Sequence, residues 1–182
     1  MHPCATPGPV SIRPSHSDDL PVITAIYAHA VHTSSATFEI DPPDLQEMTR
    51  RRDDVLSKGL PWLVAETEGQ LVGYSYAVPF RPRPAYRFAL EDSIYLQPQA
   101  RGRGIGHLLL AELLARCQAQ GARQMLAVIG DSANSASINV HRALGFRDVG
   151  VLRSAGRKFE RWVDVVLMQR PLGAGDGSAP GG

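Results

Sequence analysis

The sequence predicts an α/β domain, a mixed sheet covered by helices. Hydrophobic patterns follow one another in the order β-α-α-β-β-β-α-β-α-β-β. A strand-like run over residues 88–96 turns at Pro98, passes through Arg101-Gly-Arg-Gly-Ile-Gly106 and becomes a long amphipathic helix. A second apolar run at residues 124–129 follows that helix, and a right-handed crossover makes the two runs parallel neighbours.

Residues 1–9 carry three prolines and a glycine, and residues 173–182 are mostly Gly, Ala, Ser and Pro, so both ends are expected to be disordered around a single domain at 10–172. Ser11-Ile-Arg13 reads as a first strand. Ser17-Asp18-Asp19 offers an N-cap to a helix carrying Leu20, Ile23, Ile26, Tyr27 and Ala30, which should end near Thr33. An irregular stretch with Phe38 and Ile40 as its apolar points leads to Asp44, a cap for a second helix running to Gly59. Residues 62–67 and 70–78 form two strands joined through Glu68-Gly69, a hairpin signal. The connection Arg81-Pro-Arg-Pro84 is too polar for a core. Ile105, Leu108, Leu109, Glu112, Leu113 and Cys117 set the stripe of the long helix, which stops at Gly121. After the strand at 124–129, Asp131-Ser-Ala-Asn-Ser opens a short helix through Ile138, His141 and Leu144, ended by Gly145. Two last strands, 146–152 and 163–168, should turn around Ala155-Gly156.

With 182 residues the chain buries roughly 70% of its unfolded surface in one core. A net charge of +1, with acidic and basic residues interleaved, argues against nucleic acid or an anionic membrane as partner. Arg50-Arg51-Arg52 is followed at once by Asp53-Asp54 and reads as a solvated helix face. Only Cys4 and Cys117 occur, no apolar run nears the roughly 18 residues of a membrane span, and the first residues lack a signal-peptide core. A soluble protein of the reducing cytoplasm is the expectation. His29 and His32 have helical spacing, but no second cluster of ligands accompanies them, so no metal is expected. Ser93, Ser132 and Ser137 lack a nucleophile-elbow context and Cys117 lies on a core stripe, so no covalent intermediate on the chain is expected.

Three glycines at alternate positions between a strand and a helix let a ligand approach the backbone and leave the first helical N–H groups free for an anion. A P-loop is excluded because His107-Leu108 follows the last glycine in place of Lys-Ser/Thr. A dinucleotide fingerprint fails because the spacing is Gly102-x-Gly104-x-Gly106 and no carboxylate stands near residue 126. From the residues alone, the loop is an anion-binding turn or a plain Gly-rich connection.

The pattern Arg101-x-x-Gly104-x-Gly106 after a strand resembles the pyrophosphate loop of the Gcn5-related N-acetyltransferases. Arg83-Pro-Ala-Tyr86, Glu91-Asp-Ser-Ile-Tyr95, Ala127-Val-Ile-Gly130, Asn134 to His141, Leu144-Gly-Phe146 and Trp162-x-Asp164-Val are similar to the phosphinothricin and methionine sulfoximine acetyltransferases of that superfamily. The resemblance covers roughly residues 11–170 and implies a mostly antiparallel sheet whose parallel βαβ unit splays around acetyl-coenzyme A. It implies that Ile94, Tyr95, Leu96, Arg101, Gly102, Arg103, Gly104, Ile105, Gly106, His107 and Asn134 hold this co-substrate. It also implies a homodimer and a small amino-acid acceptor with an oxidised or phosphinic side chain, bound by Phe38, Arg81, Arg83 and Tyr86. Strand alternation lets only one of Glu91 and Asp92 face the cleft, and the resemblance picks Glu91 as the base that deprotonates the amine. His141 stands where many members carry tyrosine; it either protonates the leaving thiolate, orients water or substrate, or serves the structure. Another small amine, a protein N-terminus, or a non-catalytic coenzyme A module are the alternatives.

Overall fold

The computed structural model describes residues 9–179, so most of the first expected tail and the end of the second lie outside it. The strands are β1 (Val10–Pro14), β2 (Trp62–Thr67), β3 (Gln70–Pro79), β4 (Ala89–Leu96), β5 (Gln124–Gly130), β6 (Arg147–Lys158) and β7 (Arg161–Pro171). The helices are α1 (Leu20–Thr33), α2 (Leu45–Ser57), α3 (Ile105–Ala119) and α4 (Ser135–Ala143). The sheet runs β1-β2-β3-β4-β5-β7-β6, and every neighbouring pair is antiparallel except β4–β5. This is the mixed, mostly antiparallel sheet with one parallel unit that was expected.

Each face of the sheet has its own core. On one side α3 lies across β2, β3 and β4, with α4 beside it, burying Leu63, Ala77, Leu90, Leu109, Leu113 and Met125. Truncating any one of the four leucines or Met125 to alanine would cost about 2–5 kcal/mol. On the other side α1 and α2 cover Trp62, Val64, Leu71 and Tyr74. There Tyr27 meets Tyr95 edge-on at 5.0 Å and Tyr95 stacks on Tyr74 at 5.3 Å.

Local chemistry explains the element ends. Asp44 caps α2 by accepting from the Glu47 N–H at 2.8 Å. Glu68 and Gly69 both have positive φ, 53° and 74°, the mirror-image turn that suits a two-residue hairpin. At the start of α1, residues Ser17–Asp19 form a 3-10 turn capped by His16. Asp19 takes the His16 N–H at 2.6 Å and both guanidinium nitrogens of Arg13 at 2.8 Å.

Three expectations are corrected. Leu108 is exposed and Glu112 half-exposed, because the α3 stripe runs through Ile105, Leu109, Leu110, Leu113, Leu114 and Cys117; three consecutive leucines left the helix phase open, and packing on the sheet chose it. The last hairpin turns at Phe159-Glu160, not at Ala155-Gly156, which lies within β6 next to a register shift. Of the basic triplet only Arg50 is a solvated side chain: Arg51 reaches Glu39 at 2.7 Å, and Arg52 Nε donates to Ser15 Oγ at 2.8 Å.

Candidate active site

The register defines the site. β4 and β5 pair only from Ala89↔Gln124 to Asp92↔Ala127. Beyond that point β4 continues to Leu96 on β3 and β5 continues to Gly130 on β7, so the sheet forks between them. Glu91 and Asp92, the last two paired residues of β4, point to opposite faces of the sheet at the apex of this fork.

Glu91 faces the α1–α2 side, opposite Val78 on β3 and Leu126 on β5. It is half-buried, and its pKa lies above the usual carboxylate value, first because burial disfavours the charge, then because Asp92 repels it; Arg81 opposes the shift. A carboxylate moved in that direction is a stronger base than a solvated one. Arg81 lies over the Phe80 ring at 4.4 Å, and Phe80 meets Tyr86 edge-on at 5.8 Å. Arg83 is exposed at the start of the 3-10 turn Pro84–Tyr86. Phe38 lies against Gly156 of β6, where a Cβ would overlap its ring.

Asp92 faces the α3–α4 side and is buried. Its Oδ2 meets His141 Nε2 at 2.9 Å, while His141 Nδ1 lies 2.7 Å from the Ser137 carbonyl oxygen. A carbonyl only accepts, so Nδ1 carries a proton, and a second proton must lie between Nε2 and Oδ2. The two side chains share that proton across a buried contact. Burial lowers the His141 pKa, but the Asp92 hydrogen bond and charge outweigh it, so the net shift is upward. Asp92 Oδ1 is buried without a partner among the described residues.

The glycine loop enters α3 beside the fork. Gly104 is the N-cap with φ 78°, Gly102 has φ 73°, and a Cβ at either would meet open space, so the backbone conformation demands glycine there. The Leu108 N–H returns to the Gly104 carbonyl at 3.2 Å, which leaves the N–H groups before it as the unpaired first turn of the helix. Ile94 and Leu96 point toward Gly106 from the strand. Asn134 caps α4, its Oδ1 accepting from Ser137 N–H at 3.3 Å and its Nδ2 donating to the Gly130 carbonyl at 3.4 Å, at the far end of the fork.

A fork, a glycine loop at a helix start and a half-buried carboxylate at the apex match one known architecture. The model of the Acetyltransferase (GNAT) family fits residues 23–146. The chain belongs to this family. It is 56% identical over 170 residues to a phosphinothricin N-acetyltransferase of Alcaligenes faecalis, covering 93% of this chain and 86% of that one. It is 40% identical over 163 residues to an L-methionine sulfoximine/L-methionine sulfone acetyltransferase of Pseudomonas aeruginosa, covering 89% and 94%. The crystal structure of a GNAT superfamily phosphinothricin acetyltransferase from Sinorhizobium meliloti in complex with AcCoA superposes with a TM-score of 0.92 at 48% identity, covering 94% of this chain and 93% of that one.

Within this GNAT frame the expected residues fall into groups. Arg101, Gly102, Arg103 and Gly104 are exposed on the loop and His107 is exposed on the first turn of α3, whereas Ile105 and Gly106 are buried. Tyr95 turns its ring into the aromatic core and gives the fork its backbone. Arg81 acts on Glu91, while Arg83 and Tyr86 stand further out on the exposed connection. Asp92 was missed as the partner of His141; its signal was a carboxylate at an inward position between Leu90 and Ile94. Among the described residues no three His, Cys, Asp or Glu side chains gather as a metal would require, and no helix is long and apolar enough to cross a membrane.

Proposed function

We propose that the protein transfers the acetyl group of acetyl-coenzyme A directly to the α-amine of a small amino-acid analogue: phosphinothricin, methionine sulfoximine or methionine sulfone. The observation that carries this is the placement of two proton-handling groups on opposite faces of one fork apex, Glu91 on the α1–α2 face and the His141–Asp92 pair on the α3–α4 face. Glu91, directly or through water, takes a proton from the incoming ammonium, and the free amine attacks the thioester carbonyl. The C–N bond forms, the C–S bond breaks, and the nitrogen sheds its second proton through water to restore the pair that discharges onto sulfur. The departing thiolate, whose intrinsic pKa is about 8.5, takes the proton held between His141 and Asp92.

The N–H groups of residues 102–107, with the positive end of α3, receive the pyrophosphate, and Asn134 meets the pantetheine arm. Arg81 and Arg83 neutralise the acceptor's carboxylate and tetrahedral oxygens, and Phe38 and Tyr86 wall its apolar stem. The working unit is a homodimer, supported by the exposed apolar side chains of the β6–β7 hairpin: Val149, Val151, Leu152, Phe159 and Trp162. We place it in the cytoplasm, where its donor is held and where the buried free thiol of Cys117 stays reduced.

The test is thiol release from acetyl-coenzyme A with a panel of acceptors. The three oxygen-rich amino acids should exceed methionine and lysine by at least about 100-fold in kcat/KM, the order set by two lost charge-assisted hydrogen bonds. A higher kcat/KM for spermidine or a peptide N-terminus would overturn the acceptor assignment and leave acetyl transfer standing. No thiol release with any amine would overturn the enzyme reading.

A further inference from the structure

Lys158 closes β6 with its ammonium buried; the residue is only 5% exposed. Its Nζ donates to two carbonyl oxygens, Ser34 O and Thr37 O, each at 2.9 Å, and lies 5.1 Å from the Phe159 ring centre. Both carbonyls belong to the stretch between α1 and α2 that carries Phe38. Lysine is almost never enclosed in this way without a carboxylate in contact; among the described residues Glu39 acts on it only from beyond salt-bridge distance, and an apolar side chain of equal length would fill the space without the cost of burying the charge. The ammonium's return is the position of those two carbonyls.

The same stretch is fastened from three other directions. Ser35 Oγ donates to Asp131 Oδ2 at 2.7 Å, and Arg161 of β7 binds both Ser35 and Asp131. The Ser35 carbonyl lies so close over Gly130 that a Cβ there would overlap it. Tyr27 of α1 shares a 2.9 Å hydrogen bond with Thr37 Oγ1. Phe38 then falls into the notch left by Gly156, two residues before Lys158 on the same strand. Alternation puts Leu126, Val128 and Gly130 on one face of β5, and Leu126 is the partner of Glu91. The fastened stretch thus covers the face on which the base lies.

We propose that Lys158 is a positioning residue of the acceptor pocket: by holding the Ser34 and Thr37 carbonyls it sets Phe38 in the Gly156 notch and so fixes the apolar wall facing the substrate. This rests on the acceptor role of Phe38 proposed above. It also ties the acceptor pocket to the β6–β7 hairpin, since the same two strands supply Lys158, Gly156 and Arg161.

Steady-state kinetics on Lys158→Met, which keeps the stem and removes the charge, tests it. The expected result is a KM for methionine sulfoximine raised about 10-fold or more, with the KM for acetyl-coenzyme A within about twofold of the parent. Gly156→Ala, which leaves the ammonium in place and pushes on the Phe38 ring, should give the same split. In a double-mutant cycle, Lys158→Met should add little to Phe38→Ala, because both remove the same wall. A fall in Tm with both KM values unchanged in Lys158→Met and Gly156→Ala would make Lys158 a purely structural strap and overturn the proposal. Additive losses in the cycle would overturn it as well. If Phe38→Ala alone leaves the acceptor KM unchanged, the acceptor role of Phe38 is what fails; if it raises KM while Lys158→Met does not, that role stands and the positioning role fails.

Discussion

As the proposed base, Glu91 sets stability against chemistry. Its pKa is raised in the folded state, so the folded protein binds the carboxyl proton more readily than the unfolded chain does. The stability from that proton is complete below the ordinary carboxylate range and is lost as the pH climbs through the raised value. At neutral pH the ionised side chain therefore costs stability, and Glu91→Gln should raise Tm at pH 7 while cutting kcat by roughly 10- to 10,000-fold. Equal Tm and unaltered turnover would remove Glu91 from the mechanism. The acid limb of kcat/KM should lie above the ordinary glutamate value of about 4.3 and move further up in Arg81→Ala, because the guanidinium opposes the shift. Strand alternation made the division between Glu91 and Asp92 legible in the sequence. That Asp92 would meet His141 was not, since the contact joins residues 49 apart in sequence and depends on how α4 docks. Lys158 gave no signal at all, because its two acceptors are backbone carbonyls and any sequence supplies those.

At the scale of elements, the β4–α3 connection was the most legible part of the chain, because positive φ at Gly102 and Gly104 leaves few residues that fit. Gly104→Ala should impose about 1–2 kcal/mol of left-handed strain at the N-cap and raise the KM for acetyl-coenzyme A about 10-fold, with the acceptor KM unchanged. Isothermal titration with coenzyme A alone would separate lost binding from lost chemistry, and unchanged affinity would show that the loop is only a turn. The final hairpin was the least legible. Ala155-Gly156 looks like a turn by composition, yet Gly156 is small because Phe38 packs on it, and a residue 118 positions earlier cannot be inferred from the local pattern. The true turn, Phe159-Glu160, uses two residues with φ of 49° and 59° that composition does not favour there.

Seen as a whole, the sheet ends in β1 on one side and in β6 on the other. The first nine residues of β6 are all exposed, and Trp162 beside it is 64% exposed. A long exposed edge with large apolar side chains is a surface that a soluble protein covers. Sedimentation should find a dimer, and Trp162→Asp should shift it toward monomer by placing a charge in the covered patch. A monomeric parent protein would overturn the homodimer. Since Arg161 and Lys158 of the same hairpin bind the stretch that carries Phe38, the monomeric variant should, if Phe38 walls the acceptor as proposed, lose affinity for the acceptor before it loses affinity for acetyl-coenzyme A.

The fork has a consequence in hydrogen exchange. From Ser93 to Leu96 on one side and Val128 to Gly130 on the other, two strands stay paired to their outer neighbours and turn their inner backbone groups toward a gap. Two raw strand edges thus face each other in the middle of a seven-stranded sheet, where protection against exchange is ordinarily greatest. Their inward amides should exchange as fast as those of an outer edge, and slow together when an extended molecule with amides of its own lies between them.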